Sequence, residues 1–288
     1  MKVLVLGVTG MLGRAVFRHF FDSKEHEVCG TYRGLKDDDS FIEKQKEYML
    51  EGVDVLDSDA LVGALSKFQP DVVINCVGLI KQQDTARDPL IVLPMNTLFP
   101  HKLEKLCALI GARLIHISTD CVFSGNRGGY LEEDFSDAED LYGKSKFLGE
   151  LNHLQHVVTL RTSIIGHELN SCRSLIDWFL SQEGRSVKGF TKAVFSGLPT
   201  VELARVIAEY VLPKPELFGL YHVSVDPIDK FSLLTLVADI YGKEIEILPS
   251  EELRIDRSLN SDRFKKDFGY TPPSWPELIK MMHSFRLN

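Results

Sequence analysis

The 288-residue sequence lacks several features that would restrict its function at once. Its five cysteines are scattered without a Cys-x-x-Cys pair, which argues against a disulfide framework and a zinc site. No cluster of His, Asp and Glu has metal-ligand spacing, so we expect no metal. The net charge of -8 argues against nucleic acid or an anionic membrane as a partner, since both attract basic surfaces.

Long apolar segments are also missing from the sequence. No apolar run approaches the about 18 residues that a membrane-spanning helix needs. The first residues, MKVLVLG, are strand-like, and no basic segment precedes an apolar one as in a secretory signal. We therefore expect no membrane partner and a cytoplasmic location.

A regular alternation of strand and helix patterns fills most of the chain. Such alternation predicts an α/β fold with a doubly wound parallel sheet, the Rossmann architecture. We expect residues 1–165 to form this domain, with parts of the later chain returning to it, and residues 166–288 to form mainly a smaller C-terminal α/β substrate lobe. The strand patterns lie at residues 2–7, 26–32, 71–78, 113–119, 156–166 and 219–225.

A glycine-rich turn joins the first strand to the first helix. Gly7 permits a tight turn, Gly10 lets a pyrophosphate approach the backbone, and Gly13 lets the helix pack closely against the strand. The helix N-terminus adds N–H groups and partial positive charge. This context predicts a dinucleotide site, with a purely structural turn as the alternative.

The residues after the second strand indicate which dinucleotide is bound. NAD enzymes place a carboxylate there to hold the ribose 2′-hydroxyl, whereas this chain has Thr31, Tyr32 and Arg33. A guanidinium can grip a 2′-phosphate with two hydrogen bonds and stack on adenine. We therefore predict NADPH rather than NADH, unless Arg33 merely opens a polar loop.

The stretch DLYGKSKFLGE places Tyr142 and Lys146 four residues apart at the start of a helix, so both lie on one face. Ser118 and Thr119 end a predicted strand at the sheet edge where such folds bind ligands. We expect Lys146, together with the positive charge of the oxidised cofactor, to lower the pKa of the Tyr142 phenol, which then exchanges a proton with a substrate oxygen that Thr119 also contacts. A surface pair is the alternative for Tyr-x-x-x-Lys alone.

The block ISTDCVFSGNRGGYLEEDFSDAEDLYGKSKFLGE resembles the dTDP-4-dehydrorhamnose reductase (RmlD-like) family of extended short-chain dehydrogenases/reductases. The resemblance continues through LRTSIIG, GLPTVELARVIAEYV, GLYHVSVDPIDKFSLLTLVADIYG and PPSWPELIK, and so covers nearly the whole chain. It implies an oxidoreductase that uses NADPH to reduce a 4-keto-6-deoxy nucleotide-diphosphate sugar, in surface polysaccharide or deoxysugar biosynthesis. It also implies a homodimer.

The resemblance and the residue types together define the expected site. Thr119, Tyr142 and Lys146 are the expected catalytic residues. The expected cofactor contacts, besides Tyr142 and Lys146, are Gly7, Thr9, Gly10, Met11, Leu12, Gly13, Tyr32, Arg33, Asp54, Val55, Val77, Gly78, Asn96 and Ser118. The expected substrate contacts are Lys81, Asp120, Cys121, Lys192 and Arg257.

Two other functions fit the same fold. One is a non-catalytic, NADP-binding regulatory subunit like that of methionine adenosyltransferase, which the complete Thr119, Tyr142 and Lys146 set disfavours. The other is a nucleotide-sugar epimerase or dehydratase with tightly held NAD. The missing carboxylate after the second strand disfavours it, as does the absence of a Thr-Asp/Glu-Glu sequence after Ser118.

Overall fold

The computed structural model describes residues 1–34, 41, 43–80, 87–168 and 174–287. Among these, seven parallel strands form one sheet in the order β10-β6-β5-β4-β1-β2-β3. This order reverses between β1 and β4, which opens a crevice at the carboxyl ends of those two strands. The seven strands are β1 (Lys2–Leu6), β2 (Glu27–Thr31), β3 (Met49–Leu50), β4 (Val72–Asn75), β5 (Arg113–Thr119), β6 (Val157–Thr162) and β10 (Gly219–His222).

Helices cover both faces of this sheet, as its buried, nearly continuous apolar strands require. One core layer packs α1 and α8 against the sheet, and the opposite layer packs α3 and α5. The predicted doubly wound Rossmann fold is therefore confirmed. The helices are α1 (Met11–Ser23), α2 (Glu43–Lys46), α3 (Ser58–Phe68), α4 (Pro89–Leu93), α5 (Phe99–Ile110), α6 (Leu141–Leu148), α7 (Leu175–Leu180), α8 (Thr200–Val206), α9 (Lys230–Tyr241), α10 (Asp262–Phe268) and α11 (Trp275–Leu287).

Local signals in the sequence explain where several helices begin and end. Asp57 caps α3 by accepting hydrogen bonds from the backbone N–H groups of Asp59 and Ala60. α5 ends at Gly111, whose φ of 70° lies in the left-handed region that glycine adopts readily. α5 is preceded by α4 and one π-helical turn (Pro94–Leu98), so the helical segment runs from Pro89 to Ile110.

A second, smaller sheet was missed by the sequence patterns. β8 (Ser186–Phe195) lies between β11 (Ile228–Asp229) and β12 (Glu246–Asp256), and α7 and α9 complete the core of this lobe. β12 runs parallel to β8, a pairing between distant segments that no local turn signal announces. The remaining short strands, β7 (Ile164–Ile165) and β9 (Leu198–Pro199), form a two-stranded pair of their own.

The described part of the chain contains no helix that is both long and apolar enough to cross a membrane. Within those same residues, Cys29, Cys76, Cys107 and Cys121 are free thiols. No group of three or more potential metal ligands occurs in the described ranges.

Candidate active site

The glycine turn between β1 and α1 forms a cradle in which side chains would not fit. A Cβ on Gly7 would lie 2.8 Å from the Val77 side chain, and Gly7 has a φ of 82°. A Cβ on Gly13 would lie 2.1 Å from the carbonyl oxygen of Gly7. The geometry therefore requires glycine at both positions, and it brings α1 directly against the end of β1.

The N-terminus of α1 lies at this turn. Gly10 is its N-cap, no side chain caps the helix, and its first turn contains no acidic residue. Free N–H groups and the positive end of a helix dipole favour a phosphate at such a position. Thr9 and Gly10 are exposed, Met11 is half-buried and Leu12 is buried, so Leu12 could contact a ligand there only through its backbone.

The end of β2 lies beside the glycine turn. The carbonyl oxygen of Thr31 accepts hydrogen bonds from the N–H groups of Gly7 at 3.2 Å and Val8 at 3.1 Å. Tyr32 is buried, and burial raises the pKa of its phenol. Arg33 follows as an exposed residue, two positions after the Thr31 carbonyl that contacts the glycine turn.

Residues after β3 complete this side of the crevice. The N–H of Val53 donates to the carbonyl of Tyr32 at 3.0 Å, which places the next residue, Asp54, near Arg33. The Asp54 carboxylate accepts a hydrogen bond from the N–H of Leu56 at 2.9 Å, and Val55 is buried. Asp54 thus shapes a turn at the expected adenine position.

The loop after β4 lies between the glycine cradle and α6. A Cβ on Gly78 would lie 3.5 Å from Asn96 Oδ1 and 3.9 Å from Lys146 Nζ. The buried Asn96 amide bonds both backbone groups of Leu79 and also the hydroxyl of Ser145. Asn96 therefore holds the Val77–Leu79 loop against α6, and its contact with a cofactor stays a prediction.

The start of α6 packs against the chain that follows β5. Asp140 caps α6 by accepting a hydrogen bond from the N–H of Gly143 at 2.8 Å. A Cβ on Gly143 would lie 2.2 Å from the carbonyl oxygen of Cys121, so only glycine permits this contact. The close packing places the Tyr142 phenol near Thr119, whose hydroxyl influences the pKa of the phenol.

Burial, and not the neighbouring lysine, controls the acidity of Tyr142. Desolvation raises the pKa of the phenol, and the nearby Cys121 adds to the increase, while hydrogen bonding with Thr119 opposes it. Within the chain alone, desolvation outweighs the other influences on the phenol. The phenol is therefore protonated at neutral pH. The lowering expected from Lys146 together with an oxidised cofactor stays a prediction.

Lys146 lies at the back of the site. Its buried ammonium donates a hydrogen bond of 2.8 Å to the carbonyl of Ile117 on β5. Burial lowers its pKa to about 8, and the carboxylate of Glu150 partly opposes that change. At neutral pH the side chain is mostly charged, since neutral pH is below that pKa.

Ser118 belongs to a buried polar network and not to the open site. Its hydroxyl donates to Glu150 at 2.7 Å, and Arg161 on β6 forms two hydrogen bonds of 2.7 Å with the same carboxylate. Arg161 also contacts His222 on β10 at 3.2 Å. The network ties β5, β6 and β10 together behind Tyr142 and Lys146. Sequence analysis did not identify Glu150. Its position four residues after Lys146 is the pattern that could have indicated its interaction with that lysine.

The predicted substrate residues have different positions. Asp120 is buried and accepts a hydrogen bond from Thr119 at 3.2 Å, and burial raises the pKa of its carboxyl. Cys121 is half-buried, and burial raises the pKa of its thiol to about 12. Arg257 is half-buried, and its Nε–H donates to the carbonyl of Phe123 at 2.7 Å. Lys81 lies outside the described residues.

Two lysines of the small lobe differ in their surroundings. Lys192 is exposed on β8 opposite Arg254, and its role in substrate binding stays a prediction. Lys230, at the start of α9, was not identified from the sequence, yet its charge interacts with those of Asp120 and Arg257. No local sequence pattern marks a lysine after a short strand as a site residue, so Lys230 could not be predicted.

A doubly wound sheet with a glycine cradle at the end of β1 and a Tyr-x-x-x-Lys pair beside β5 defines an extended short-chain dehydrogenase/reductase. The chain belongs to the family described as RmlD substrate binding domain, whose model matches residues 1–284. The resemblance found in the sequence is therefore confirmed.

Similar proteins include both enzymes and a subunit of an enzyme. Methionine adenosyltransferase 2 subunit beta of Rattus norvegicus is 30% identical over 274 residues, which cover 88% of this chain and 74% of that protein. A hypothetical dTDP-4-dehydrorhamnose reductase from Sulfolobus tokodaii is 27% identical, with a TM-score of 0.77, over 95% of this chain and 98% of that one. The dTDP-4-dehydrorhamnose reductase of Bacillus anthracis, in complex with NADP, has 21% identity and a TM-score of 0.80, over 99% of both chains.

Proposed function

We propose that the protein is an NADPH-dependent reductase of a 4-keto-6-deoxy nucleoside-diphosphate sugar, in surface polysaccharide or deoxysugar biosynthesis. The observation that carries the proposal is the proximity of Tyr142 to Thr119, with Lys146 one helical turn away on α6. The glycine cradle fits a dinucleotide, because its tight approaches and uncapped helix N-terminus accept a pyrophosphate. Membership of a reductase family and the NADP complex of the Bacillus anthracis enzyme support it.

The chain's own residues would bind the keto group and move a proton to it. NADPH, when bound, supplies the hydride. The Tyr142 phenol, protonated at neutral pH because burial raises its pKa, donates its proton to the carbonyl oxygen as that oxygen gains negative charge. The Thr119 hydroxyl orients the same oxygen, and Lys146 would hold the nicotinamide ribose with its ammonium.

The test is to incubate purified protein with NADPH and a panel of 4-keto nucleotide sugars. The reaction is monitored by the decrease in absorbance of the reduced nicotinamide. Turnover of at least one member, with the matching 4-hydroxy product, is expected. Absence of turnover across the panel would contradict the proposal.

A regulatory subunit is the second candidate, because the relative from Rattus norvegicus is a subunit of methionine adenosyltransferase and matches 88% of this chain. A protein that binds NADPH but reduces none of the sugars would favour this candidate. The two functions are therefore separated by the same panel, provided that NADPH binding is measured in parallel.

We expect Arg33→Ala to reduce NADPH affinity about ten- to hundredfold, because a charge-assisted contact to the 2′-phosphate is worth roughly 1.5–3 kcal/mol. NADH affinity should hardly change, since NADH has no phosphate at that position. Titration of both cofactors against wild type and variant measures the difference.

Lys67→Ala is the matched control for Arg33→Ala. Lys67 is exposed near the end of α3, and the carbonyl of the next residue, Phe68, contacts Lys2 at the start of β1. Lys67 therefore lies at the N-terminal ends of the parallel strands, whereas the cradle lies at their carboxyl ends. Equal losses for NADPH and NADH in Arg33→Ala would contradict the assignment of Arg33.

We also propose a homodimer, on the resemblance to extended family members. Leu98 and Leu148 are 62% and 55% exposed, and hydrogen bonds from Thr97 and His101 to α6 place them on one surface. Exposed apolar side chains grouped in this way are typical of an interface. Light scattering at micromolar concentration should give a dimer for wild type and a monomer for Leu98→Glu.

The control for the dimer is Leu248→Glu, because Leu248 is 46% exposed on β12 of the small sheet, which does not include α5 or α6. That variant should stay dimeric. A wild-type protein that is monomeric at this concentration would overturn the proposal.

A further inference from the structure

Lys230 lies where the small lobe meets the end of β5. It is the first residue of α9, directly after β11, whose Asp229 pairs with Val194 on β8. On the other side of β8, Asp256 of β12 pairs with the same Val194. Lys230 and Arg257, the next residues after these two partners, therefore lie at one end of the small sheet.

Both cations face the residues that follow the catalytic threonine. Arg257 interacts electrostatically with the buried Asp120, and the charge of Lys230 interacts with Asp120, Arg257 and Cys121. Asp120 directly follows Thr119 and accepts its hydrogen bond. The small lobe thus presents two positive side chains next to the position of the reacting oxygen.

The ammonium of Lys230 forms no hydrogen bond or close ion pair with the part of the chain that the structure describes, and Asp120 acts on it only through a longer-range charge interaction. The side chain is nevertheless half-buried, and burial lowers its pKa. A charge that is partly removed from water without a direct partner costs free energy. The contacts of the described residues therefore do not account for this charge, whereas a ligand that supplies negative charge would.

Arg257 is held in a fixed orientation toward the same space. Its Nε–H is committed to the carbonyl of Phe123 at 2.7 Å. A guanidinium carries four further N–H donors, and two parallel donors match the oxygens of a phosphate. With only Asp120 as a counter-charge, this group of three side chains has an excess of positive charge.

We propose that Lys230, together with Arg257, binds the diphosphate of the nucleotide-sugar substrate, with Lys230 as a substrate-binding residue that the sequence motifs do not mark. The proposal rests on the proposed function, because the diphosphate and the keto group belong to one substrate. Thr119 and Tyr142 bind the keto end, and the cations of the small lobe bind the phosphates.

The test uses the purified full-length chain with UDP and dTDP as probes, and uridine and thymidine as probes without phosphate. Lys230→Met should weaken binding of the two diphosphates about ten- to hundredfold in calorimetric titration, because a charged contact to phosphate is lost. Nucleoside and NADPH affinities should stay at the wild-type level. Lys230→Arg, which keeps the charge, should recover part of the diphosphate affinity.

Lys188→Met is the matched control, since Lys188 is an exposed lysine of the same small sheet, paired with Glu252 at 2.8 Å. It should bind the diphosphates like wild type. Thermal melting of each variant checks that it is folded, and Lys230→Gln replaces Lys230→Met if the latter is not.

The outcomes separate this inference from the proposed function. If wild type binds a diphosphate and the Lys230 variants bind it equally well, the role of Lys230 is overturned while the reductase proposal stands. If wild type binds neither diphosphate, the nucleotide-sugar substrate class is itself overturned, and the subsite with it.

Discussion

Tyr142→Phe should lower turnover of the true substrate by about 10²–10⁴-fold while NADPH affinity stays near that of wild type. The substitution removes only the phenolic hydroxyl, so the ring still packs and α6 is undisturbed. Because burial raises the pKa of Tyr142, the hydroxyl is protonated at neutral pH and serves as the acid that Phe cannot replace. Steady-state kinetics with NADPH and the substrate measures the effect.

Lys146→Ala should differ in kind from Tyr142→Phe. It removes the ammonium that donates to the carbonyl of Ile117 and that would also hold the nicotinamide ribose, so cofactor affinity and turnover should fall together.

Tyr48→Phe is the matched control for Tyr142→Phe, since Tyr48 is exposed and precedes β3, away from α6. A Tyr142→Phe enzyme with near-normal turnover would refute the catalytic assignment, and the regulatory-subunit candidate would move ahead.

Arg161→Met should lower the free energy of unfolding by about 3–5 kcal/mol. Arg161 is 2% exposed and forms two hydrogen bonds of 2.7 Å with the buried carboxylate of Glu150. The variant leaves that carboxylate without its counter-charge in a site that water does not reach. Urea unfolding of wild type and variant measures the loss.

Two further variants test the cause of the loss. Lys188→Met breaks an ion pair whose side chains are 57% and 66% exposed, and it should cost less than about 1 kcal/mol. The double variant Arg161→Met with Glu150→Leu should recover part of the stability, since neither charge of the pair then remains. A loss in Arg161→Met no larger than that in Lys188→Met would show that the buried pair contributes little.

Elements defined by neighbouring residues could be read from the sequence alone. The glycine turn was predicted because each glycine removes a clash within a few residues or across one adjacent strand, as at Gly13 against Gly7. The parallel strands were predicted because burial between two helical layers requires continuous apolar runs. The Asp57 cap at α3 is local in the same way, since its carboxylate bonds N–H groups two and three residues later.

Only the tertiary structure determined the small sheet and the groups that meet at the site. β8 and β12 pair across about fifty residues of chain, and Gly189 permits their approach because a Cβ there would lie 2.6 Å from Ile247. Lys230 meets Asp120 only through that folding. The burial that raises the pKa of Tyr142 in the folded chain could not be inferred from its spacing to Lys146. Sequence patterns report local geometry, whereas burial and long-range charge interactions exist only once the chain has folded.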